Sequence, residues 1–285
     1  MNRSVKFATP FYAFIVIIII NILLVFPANA LTILIDPGHG GDDVGAKTIL
    51  PSRRLANSKL KNDHIITLFE KDLTLTISKK LQEKLKEKDY SAFLTRSFDH
   101  NVSLEERANM AEKIKADLFI SVHINSDFKK GAHGFETYYL NNHNDSAVKK
   151  LENVENQKLT ATSHAVSVAS ASASTSTNSN NDPIISKILI DLVIEKTVEK
   201  SIKLAKQIHS EIDKTVHKKH RAQNRKVRPG LFYVLALAKR PSVLLEVGFI
   251  SNQEEANRLN DYNFQEDYVT AVVSGIDKFI ANDQK

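Results

Sequence analysis

Four polar residues in this chain have the types and positions needed for hydrolytic chemistry. His39 and His123 each follow an apolar run, while Glu70 opens a helical pattern. Glu246 comes at the end of a further apolar run, residues 243–245. Two histidines and one glutamate are a common protein ligand set for Zn²⁺, and this set leaves a fourth coordination position open for water. A second glutamate close to that water can act as its general base, so we interpret the four residues as a candidate zinc site.

His39 lies in a glycine-rich loop that directly follows a predicted strand. The strand, residues 31–35, is apolar at nearly every position, which is typical of a strand buried on both faces, and Asp36-Pro37-Gly38 ends it. Of the nine glycines in the chain, four lie within residues 38–45, where they let the backbone approach a ligand closely. No Gly-Lys-Ser/Thr sequence follows, which excludes a phosphate-binding loop of that type. By itself, His39 fits a plain loop histidine as well as a functional one.

The other two candidate ligands also have structural explanations. Glu70 opens a predicted helix, residues 70–88, whose apolar residues recur every four positions, at Leu73, Ile77, Leu81 and Leu85. A carboxylate in the first turn is stabilised by the helix dipole whatever its role, so position alone favours a structural glutamate. His123 ends a predicted buried strand, residues 117–123, where a histidine is often hydrogen-bonded within the core. Its pairing with the His39 loop favours metal binding instead.

The segments around these residues resemble the type-3 family of zinc-dependent N-acetylmuramoyl-L-alanine amidases, which cleave peptidoglycan. Four motifs match in order, and the resemblance runs from about Leu31 to the C-terminus. It implies that His39, Glu70 and His123 bind Zn²⁺, and that Glu246 is the general base. It also implies hydrolysis of the amide between N-acetylmuramic acid and the L-alanine of the stem peptide, in cell-wall remodelling and daughter-cell separation.

Two alternative functions are considered beside the amidase. Another exported zinc hydrolase, such as a deacetylase or a carboxypeptidase, would keep the same ligands and act on a different substrate. A wall-binding scaffold with a degenerate site would need none of the four residues, and their presence argues against it. A digest of purified cell wall distinguishes these functions, because the new chemical ends identify the bond that was cleaved. A free L-alanine amine supports the amidase.

Composition restricts the chemistry and the partners. The 285 residues include no cysteine, which excludes a disulfide framework and a thiolate metal site. Lysine and arginine exceed aspartate and glutamate by 39 − 33 = 6, and most of the excess is spread along predicted helices as a solvated basic face. A basic balance is compatible with an anionic wall polymer. We expect a monomer that binds peptidoglycan and no nucleic acid.

The first thirty residues predict export. Arg3 and Lys6 precede a nearly unbroken apolar run, residues 11–26, and Ala28 and Ala30 form a small-x-small cleavage site. We therefore expect residues 1–30 to be a signal peptide and residues 31–285 to be the catalytic domain, located in the periplasm or secreted. The apolar run approaches membrane-spanning length, so an uncleaved anchor is the alternative.

The remaining pattern predicts an α/β fold. Predicted strands alternate with helices, which indicates a single domain with a mixed, mostly parallel sheet flanked by helices. Residues 48–66 are interpreted as a surface loop, and residues 227–235 and 242–246 as the last two strands. Glu136 is interpreted as the polar member of an alternating strand, residues 134–140.

An insertion at residues 145–182 is predicted to be regulatory. It opens with helical spacing of apolar residues, and residues 160–181 are almost entirely Ser, Ala, Thr and Asn, a composition that cannot form a core. The amidases that this chain resembles include members in which a helix at this place covers the zinc and a glutamate takes the open coordination position. The resemblance implies Glu155 for this role, with Glu152 as second choice, and an activator protein of the LytM-domain type. An ordinary surface helix with solvated glutamates is the alternative.

Overall fold

The sheet brings the ends of three parallel strands to one edge, and the candidate residues lie at that edge. The computed structural model describes residues 31–51, 65–128, 131–141, 146–156 and 183–283. The strands are β1 (Thr32–Pro37), β2 (Lys47–Pro51), β3 (Ile65–Phe69), β4 (Ser91–Leu94), β5 (Leu118–Asn125), β6 (Phe135–Leu140), β7 (Asn224–Gly230) and β8 (Ser242–Phe249).

Helices cover both faces of the main sheet. They are α1 (Glu70–Lys86), α2 (Leu104–Lys113), α3 (Ser146–Asn156), α4 (Pro183–Ile212), α5 (Tyr233–Ala238), α6 (Gln253–Leu259) and α7 (Tyr262–Asp283). After α4 the chain continues through a π-helical stretch, Asp213–His217, and one further turn, Lys218–His220. Ser103 caps α2 in a capping box with Glu106, an arrangement that a Ser-x-x-Glu sequence favours.

The six-stranded sheet has the order β4-β1-β5-β8-β6-β7. β1 pairs in parallel with β4 and β5, β5 with β8, and β6 with β7, whereas β6 and β8 are antiparallel. The prediction of a mixed, mostly parallel sheet is therefore confirmed. Thr32–Lys285 makes up one compact unit.

Burial explains the apolar runs of the central strands. Every residue of β5 and of β8 is buried, because helices pack on both faces of the sheet there. The predicted stripe of α1 is buried as well, and its four residues are Leu73, Ile77, Leu81 and Leu85. This packing holds the C-terminal ends of β1, β5 and β8 in fixed positions.

Two sequence interpretations are wrong. The ends of the expected loop at residues 48–66 form an antiparallel pair, β2 with β3, in which Leu50 and Leu68 are buried while Ile49 and Ile66 face solvent. Both segments are rich in the β-branched residues Thr and Ile, which favour strands. Residues 52–64 lie outside the described part of the chain.

The expected strand at residues 227–235 ends early. β7 stops at Gly230, and the next residues turn into α5, where the amides of Leu235 and Ala236 donate to the carbonyl of Phe232. Local helical hydrogen bonds thus override the β-propensity of the run. Glu136 does lie in a strand, β6, as interpreted, but the residue is buried, at only 2% exposure.

Two predicted segments lie outside the described residues. They are the predicted signal peptide at residues 1–30 and the low-complexity stretch at residues 160–181. In the part of the chain that the structure describes, no helix combines the length and the apolarity needed to cross a membrane.

β7 contains a β-bulge opposite β6. Phe135 pairs with Asn224 and Thr137 with Val227, so Glu136 faces two residues, Arg225 and Lys226. Lys226 has a positive φ of 77°, and its amide donates to the Asn224 side chain at 2.8 Å. A lysine in this conformation is strained, because its Cβ crowds the backbone where glycine has none.

We expect Lys226→Gly to stabilise the protein. Relief of strain, about 1–2 kcal/mol, exceeds the entropic cost of glycine, about 0.5–1 kcal/mol. Thermal unfolding should show a Tm a few degrees above wild type. Lys226→Ala is the matched control, since it removes the side chain and keeps the strain. A glycine variant that melts below the alanine variant would contradict this explanation of the bulge.

Candidate active site

The loop after β1 presents the His39 ring to the interior of the site. His39 has a positive φ of 61°, and the Arg107 guanidinium donates to its carbonyl at 2.9 Å. Its Nδ1 lies 2.9 Å from a carboxylate oxygen of Asp43. A carboxylate on one ring nitrogen fixes the orientation of the ring and directs the other nitrogen, Nε2, toward a metal.

Two glycines leave the space that the candidate ligands fill. A Cβ on Gly38 would lie 2.6 Å from Cε1 of the His123 ring. A Cβ on Gly45 would lie 2.6 Å from Oε2 of Glu70 and 2.8 Å from Cδ2 of His39, and its φ is +64°. The glycine-rich loop therefore permits close approach of the ligands, as the sequence indicated.

Glu70, the first residue of α1, is held from two sides. The amide of Ile124 donates to Oε1 at 2.9 Å, and the amide of Ala46 donates to Oε2 at 2.8 Å. Burial alone would raise the pKa of Glu70, but the charge of His39 and the hydrogen bond from His123 hold the pKa of this carboxyl well below its usual range. Glu70 therefore remains an anion in the buried site.

Four side chains converge at the edge of the sheet. Oε1 of Glu70 lies 2.9 Å from His39 Nε2 and 3.4 Å from His123 Nδ1. Oε2 of Glu155, on α3, lies 3.1 Å from His123 Nδ1 and 3.6 Å from His39 Nε2. One donor atom from each residue falls within 4.8 Å of all the others.

This cluster fits a divalent metal ion. Its donors are two imidazole nitrogens and carboxylate oxygens, a set that suits zinc and related ions in a chain without cysteine. Burial alone would lower the pKa of His123, but the carboxylates of Glu155 and Glu70 raise it well above its ordinary value. The cluster could therefore bind a cation in place of the proton that these carboxylates favour on His123.

Glu246 lies beside the cluster. On β8 it pairs with His123 of β5 on one side and with Glu136 of β6 on the other. Glu246 is completely buried, and neither of its carboxylate oxygens has a hydrogen-bond partner among the described residues. Burial raises the pKa of Glu246 well above the ordinary value; His123 opposes this rise, while Glu155 and Glu70 add to it. Such a carboxyl is suited to accept and return a proton.

The two glutamates of α3 have different partners. Glu155 extends to the cluster, whereas the Glu152 carboxylate accepts a hydrogen bond from the Leu231 amide. Asn156 adds two further bonds, donating to the Leu231 carbonyl at 2.8 Å and accepting from the Tyr233 amide at 3.0 Å. α3 is thus fixed to the segment between β7 and α5, with Glu155 directed at the histidines.

Asp43 and Arg96 are functional candidates that the sequence analysis did not single out. The Arg96 side chain is buried, and it donates to the carbonyls of Pro37 and Gly38 at 3.1 and 2.7 Å. Asp43 is four residues from His39 in an irregular loop, so no spacing rule indicates their contact. Both residues hold the loop that carries His39.

Asn125 was also missed, although its position in the sequence could have identified it. It lies two residues after His123 on β5, and residues with this spacing share one face of a strand. Its side chain donates to Glu136 at 3.0 Å, which extends the polar row beyond Glu246.

Comparison with known proteins gives a consistent result. A family model described as N-acetylmuramoyl-L-alanine amidase matches residues 33–278. N-acetylmuramoyl-L-alanine amidase AmiA of Escherichia coli (strain K12) is 32% identical over 246 residues, which are 86% of this chain and 74% of the relative.

A curated protein without an assigned function matches as well. The uncharacterized protein YqiI of Bacillus subtilis (strain 168) is 29% identical over 253 residues, 89% of this chain and 86% of the relative. Among solved structures, an N-acetylmuramoyl-L-alanine amidase from Clostridium difficile 630 superimposes with a TM-score of 0.58 at 25% identity, covering 89% of this chain and 98% of that one.

Proposed function

The chain belongs to the N-acetylmuramoyl-L-alanine amidase family, and from that premise we propose that it hydrolyses the amide between N-acetylmuramic acid and the L-alanine of peptidoglycan stem peptides. The observation that carries the proposal is the buried cluster of His39, Glu70 and His123 beside Glu246, at the C-terminal edge of the sheet. The activity serves cell-wall remodelling and the separation of daughter cells.

His39, Glu70 and His123 would hold the metal, which we propose to be Zn²⁺. When bound, zinc supplies a Lewis acid that polarises a carbonyl and lowers the pKa of water. One anionic ligand among three leaves the site with a net positive charge. The chain itself holds the ligands in place, since Asp43 orients His39 and two backbone amides orient Glu70.

Glu246 is proposed as the general base. Its carboxylate accepts the proton of the attacking water and returns it to the amine of the leaving L-alanine. The raised pKa of Glu246, caused by burial, makes the protonated form accessible for the second transfer. Burial also excludes bulk water, which would otherwise compete for the same proton.

Glu155 is proposed to keep the enzyme inactive until α3 moves. Its carboxylate lies between His39 and His123, where the water and the scissile carbonyl must enter. Residues 145–182 then form a regulatory insertion, and a partner that binds the displaced state of α3 more tightly would activate the enzyme. We propose an activator of the LytM-domain type for this role.

We expect Glu155→Ala to raise basal hydrolysis of purified cell wall without any activator. A charge-assisted contact of this kind corresponds to roughly a ten-fold or larger change in the open fraction. The release of soluble wall fragments measures the activity, and metal analysis should give the same zinc content as wild type.

Asn153→Ala is the matched control for Glu155→Ala, because Asn153 is on the exposed face of the same helix. It should leave basal activity unchanged. Glu152→Ala removes the bond to the Leu231 amide, so it should also loosen α3. Flat or reduced activity in both glutamate variants would rule out autoinhibition by α3.

The location follows from the proposed substrate and from the N-terminal sequence. Arg3, Lys6 and the apolar run at residues 11–26 have the order of a signal peptide, with Ala28 and Ala30 at the cleavage site. We propose export to the periplasm or secretion, where peptidoglycan is accessible, and action as a monomer.

A digest of purified cell wall tests the proposed function. Incubation with the zinc-loaded enzyme should create new amino termini, and these should all belong to L-alanine. New glucosamine amines would identify a deacetylase, and a released C-terminal amino acid would identify a carboxypeptidase. If the wall stayed intact with Glu155→Ala and no zinc were bound, the chain would be a wall-binding scaffold.

A further inference from the structure

The proposed mechanism does not use Glu136, a buried carboxylate next to Glu246. Asn125 Nδ2 donates to its Oε2 at 3.0 Å, as does the Tyr138 hydroxyl at 3.0 Å, and Arg225 Nε donates to Oε1 at 2.9 Å. A buried charge requires such partners, and removing one of them would be costly. These bonds fix Glu136, and Glu136 in turn holds the Arg225 guanidinium at a defined place.

Arg225 is fixed from several directions. Besides Glu136, the ring of Phe249 lies beneath its guanidinium, with Cζ 4.9 Å from the ring centroid. The bulge in β7 directs Arg225 toward Glu136, and Arg228 Nε donates to the Arg225 carbonyl at 3.2 Å. A bulge often re-aims a side chain next to an active site.

The free end of the Arg225 guanidinium is available to a ligand. Its side chain is 28% exposed, and the contact with Glu136 uses Nε. Its two terminal amino groups make no hydrogen bond to any residue that the structure describes. Two parallel amino groups of this kind match the two oxygens of a carboxylate.

The strand order gives the distance from Arg225 to the reacting groups. β7 is two strands from β8, and strands are about 4.8 Å apart, so Arg225 lies roughly 10 Å from Glu246 across the sheet. An extended peptide advances about 3.3–3.6 Å per residue. A stem peptide whose first amine lies at Glu246 would thus bring its second or third residue to Arg225.

The local charge favours an anion there. Arg228 Nε lies 3.8 Å from Glu136 Oε1, so two guanidinium groups face one carboxylate. The resulting positive charge offsets the repulsion that Glu246 and Glu136 would exert on an anionic peptide.

We propose that Arg225 is a substrate-binding residue that recognises a free carboxylate on the stem peptide, on the leaving-group side of the scissile bond. The proposal rests on the proposed amidase function. The stem contains D-glutamate joined through its side chain, so its α-carboxyl group is a carboxylate in some walls and a carboxamide in others. Arg225 then makes the enzyme prefer the carboxylate form.

The test compares two muramoyl tripeptides that differ only in this group, carboxylate against carboxamide. All variants are made in the Glu155→Ala background, in which the cleft is open. Arg225→Gln should lower kcat/KM for the carboxylate substrate by about 10- to 100-fold, mostly through KM. For the carboxamide substrate, the change should stay below about three-fold, because no charge-assisted bond is lost.

Arg240→Gln is the matched control. Arg240 is also 28% exposed and ion-paired, with Glu112 at 2.7 Å, but it precedes β8 at the opposite end from the site. Its substitution should change kcat/KM for neither substrate. Because Arg225→Gln leaves Glu136 with one partner fewer, the double variant Glu136→Gln/Arg225→Gln removes both charges. The Tm of this double variant should be close to that of the wild type, and its preference for the carboxylate substrate should be lost as in Arg225→Gln.

A binding measurement separates this proposal from the proposed function. The free tripeptides, with D-glutamate or its carboxamide form, are titrated calorimetrically into the same variants. A preference for the carboxylate peptide that depends on Arg225 supports the proposal, even if no muramoyl substrate is cleaved. Failure to cleave any muramoyl substrate would reject the amidase function but not the role of Arg225. Equal losses for both forms, or no loss in Arg225→Gln, would overturn the role of Arg225 while leaving the amidase function intact.

Discussion

The Glu246→Gln enzyme should bind zinc as wild type does and lose hydrolysis by roughly 10²–10⁴-fold, the range that a positioned proton-transfer group contributes. Glutamine has the same shape and cannot accept the proton of water. Glu246 itself is not among the four residues whose donor atoms converge, so metal binding should survive. Wall-digest rates and metal analysis on the same preparation give the two quantities.

Thermal unfolding adds an independent expectation for this variant. Glu246 is buried without a hydrogen-bond partner in the described residues, so its replacement by a neutral side chain should keep or raise Tm. Glu255→Gln is the contrasting control, because Glu255 accepts from the amides of Gly134 and Phe249 and pairs with Arg258. Glu255→Gln should lower Tm and leave the rate of wall hydrolysis unchanged. Loss of zinc from Glu246→Gln would show that Glu246 is a ligand.

The His123→Ala enzyme should lose both bound zinc and activity. Its Nδ1 is one of the four converging donor atoms, and removing a donor from a three-residue protein ligand set weakens metal binding far more than the roughly 10- to 100-fold effect of an outer partner. His39→Ala should behave in the same way. Metal content after dialysis, followed by wall digestion with added zinc, measures both losses.

The control for the histidine variants is His220→Ala. The His220 side chain is 15% exposed and paired with Asp267 at 2.6 Å, and it is remote in sequence from the candidate ligands. This variant should retain its zinc and its activity. If His123→Ala held zinc as tightly as His220→Ala does, the metal would have to be bound elsewhere.

The fold class and the residues at the strand ends could be predicted from the sequence. Apolar runs that alternate with helical segments indicate parallel strands, and the carboxyl ends of parallel strands meet at one edge of the sheet. For this reason His39 and His123 could be expected near each other, although they are 123 − 39 = 84 positions apart in the sequence. The start of α2 could be predicted from Ser103 and Glu106, because a capping box is a local feature.

Longer-range packing decided the features that sequence patterns describe poorly. The helix α5 replaced an expected strand, because it packs Val234, Leu235 and Ala238 into a buried apolar cluster. From the sequence, Glu136 was interpreted as an ordinary polar strand residue. In the structure its carboxylate is buried and accepts hydrogen bonds from three side chains, those of Asn125, Tyr138 and Arg225. Period-two alternation carries no information about such partners.

The sequence by itself determined which residues are candidate metal ligands and which glutamates α3 offers. Glu152 and Glu155 are three residues apart, so they share one face of the helix; their spacing does not distinguish them, and only the family resemblance ranked Glu155 first. Only the tertiary structure decided between them: α3 is docked so that the Leu231 amide binds Glu152, while Glu155 reaches the histidines. The contact of Asp43 with His39 was decided in the same way, because irregular loop geometry depends on the residues that pack around it, here Arg96 and Arg107.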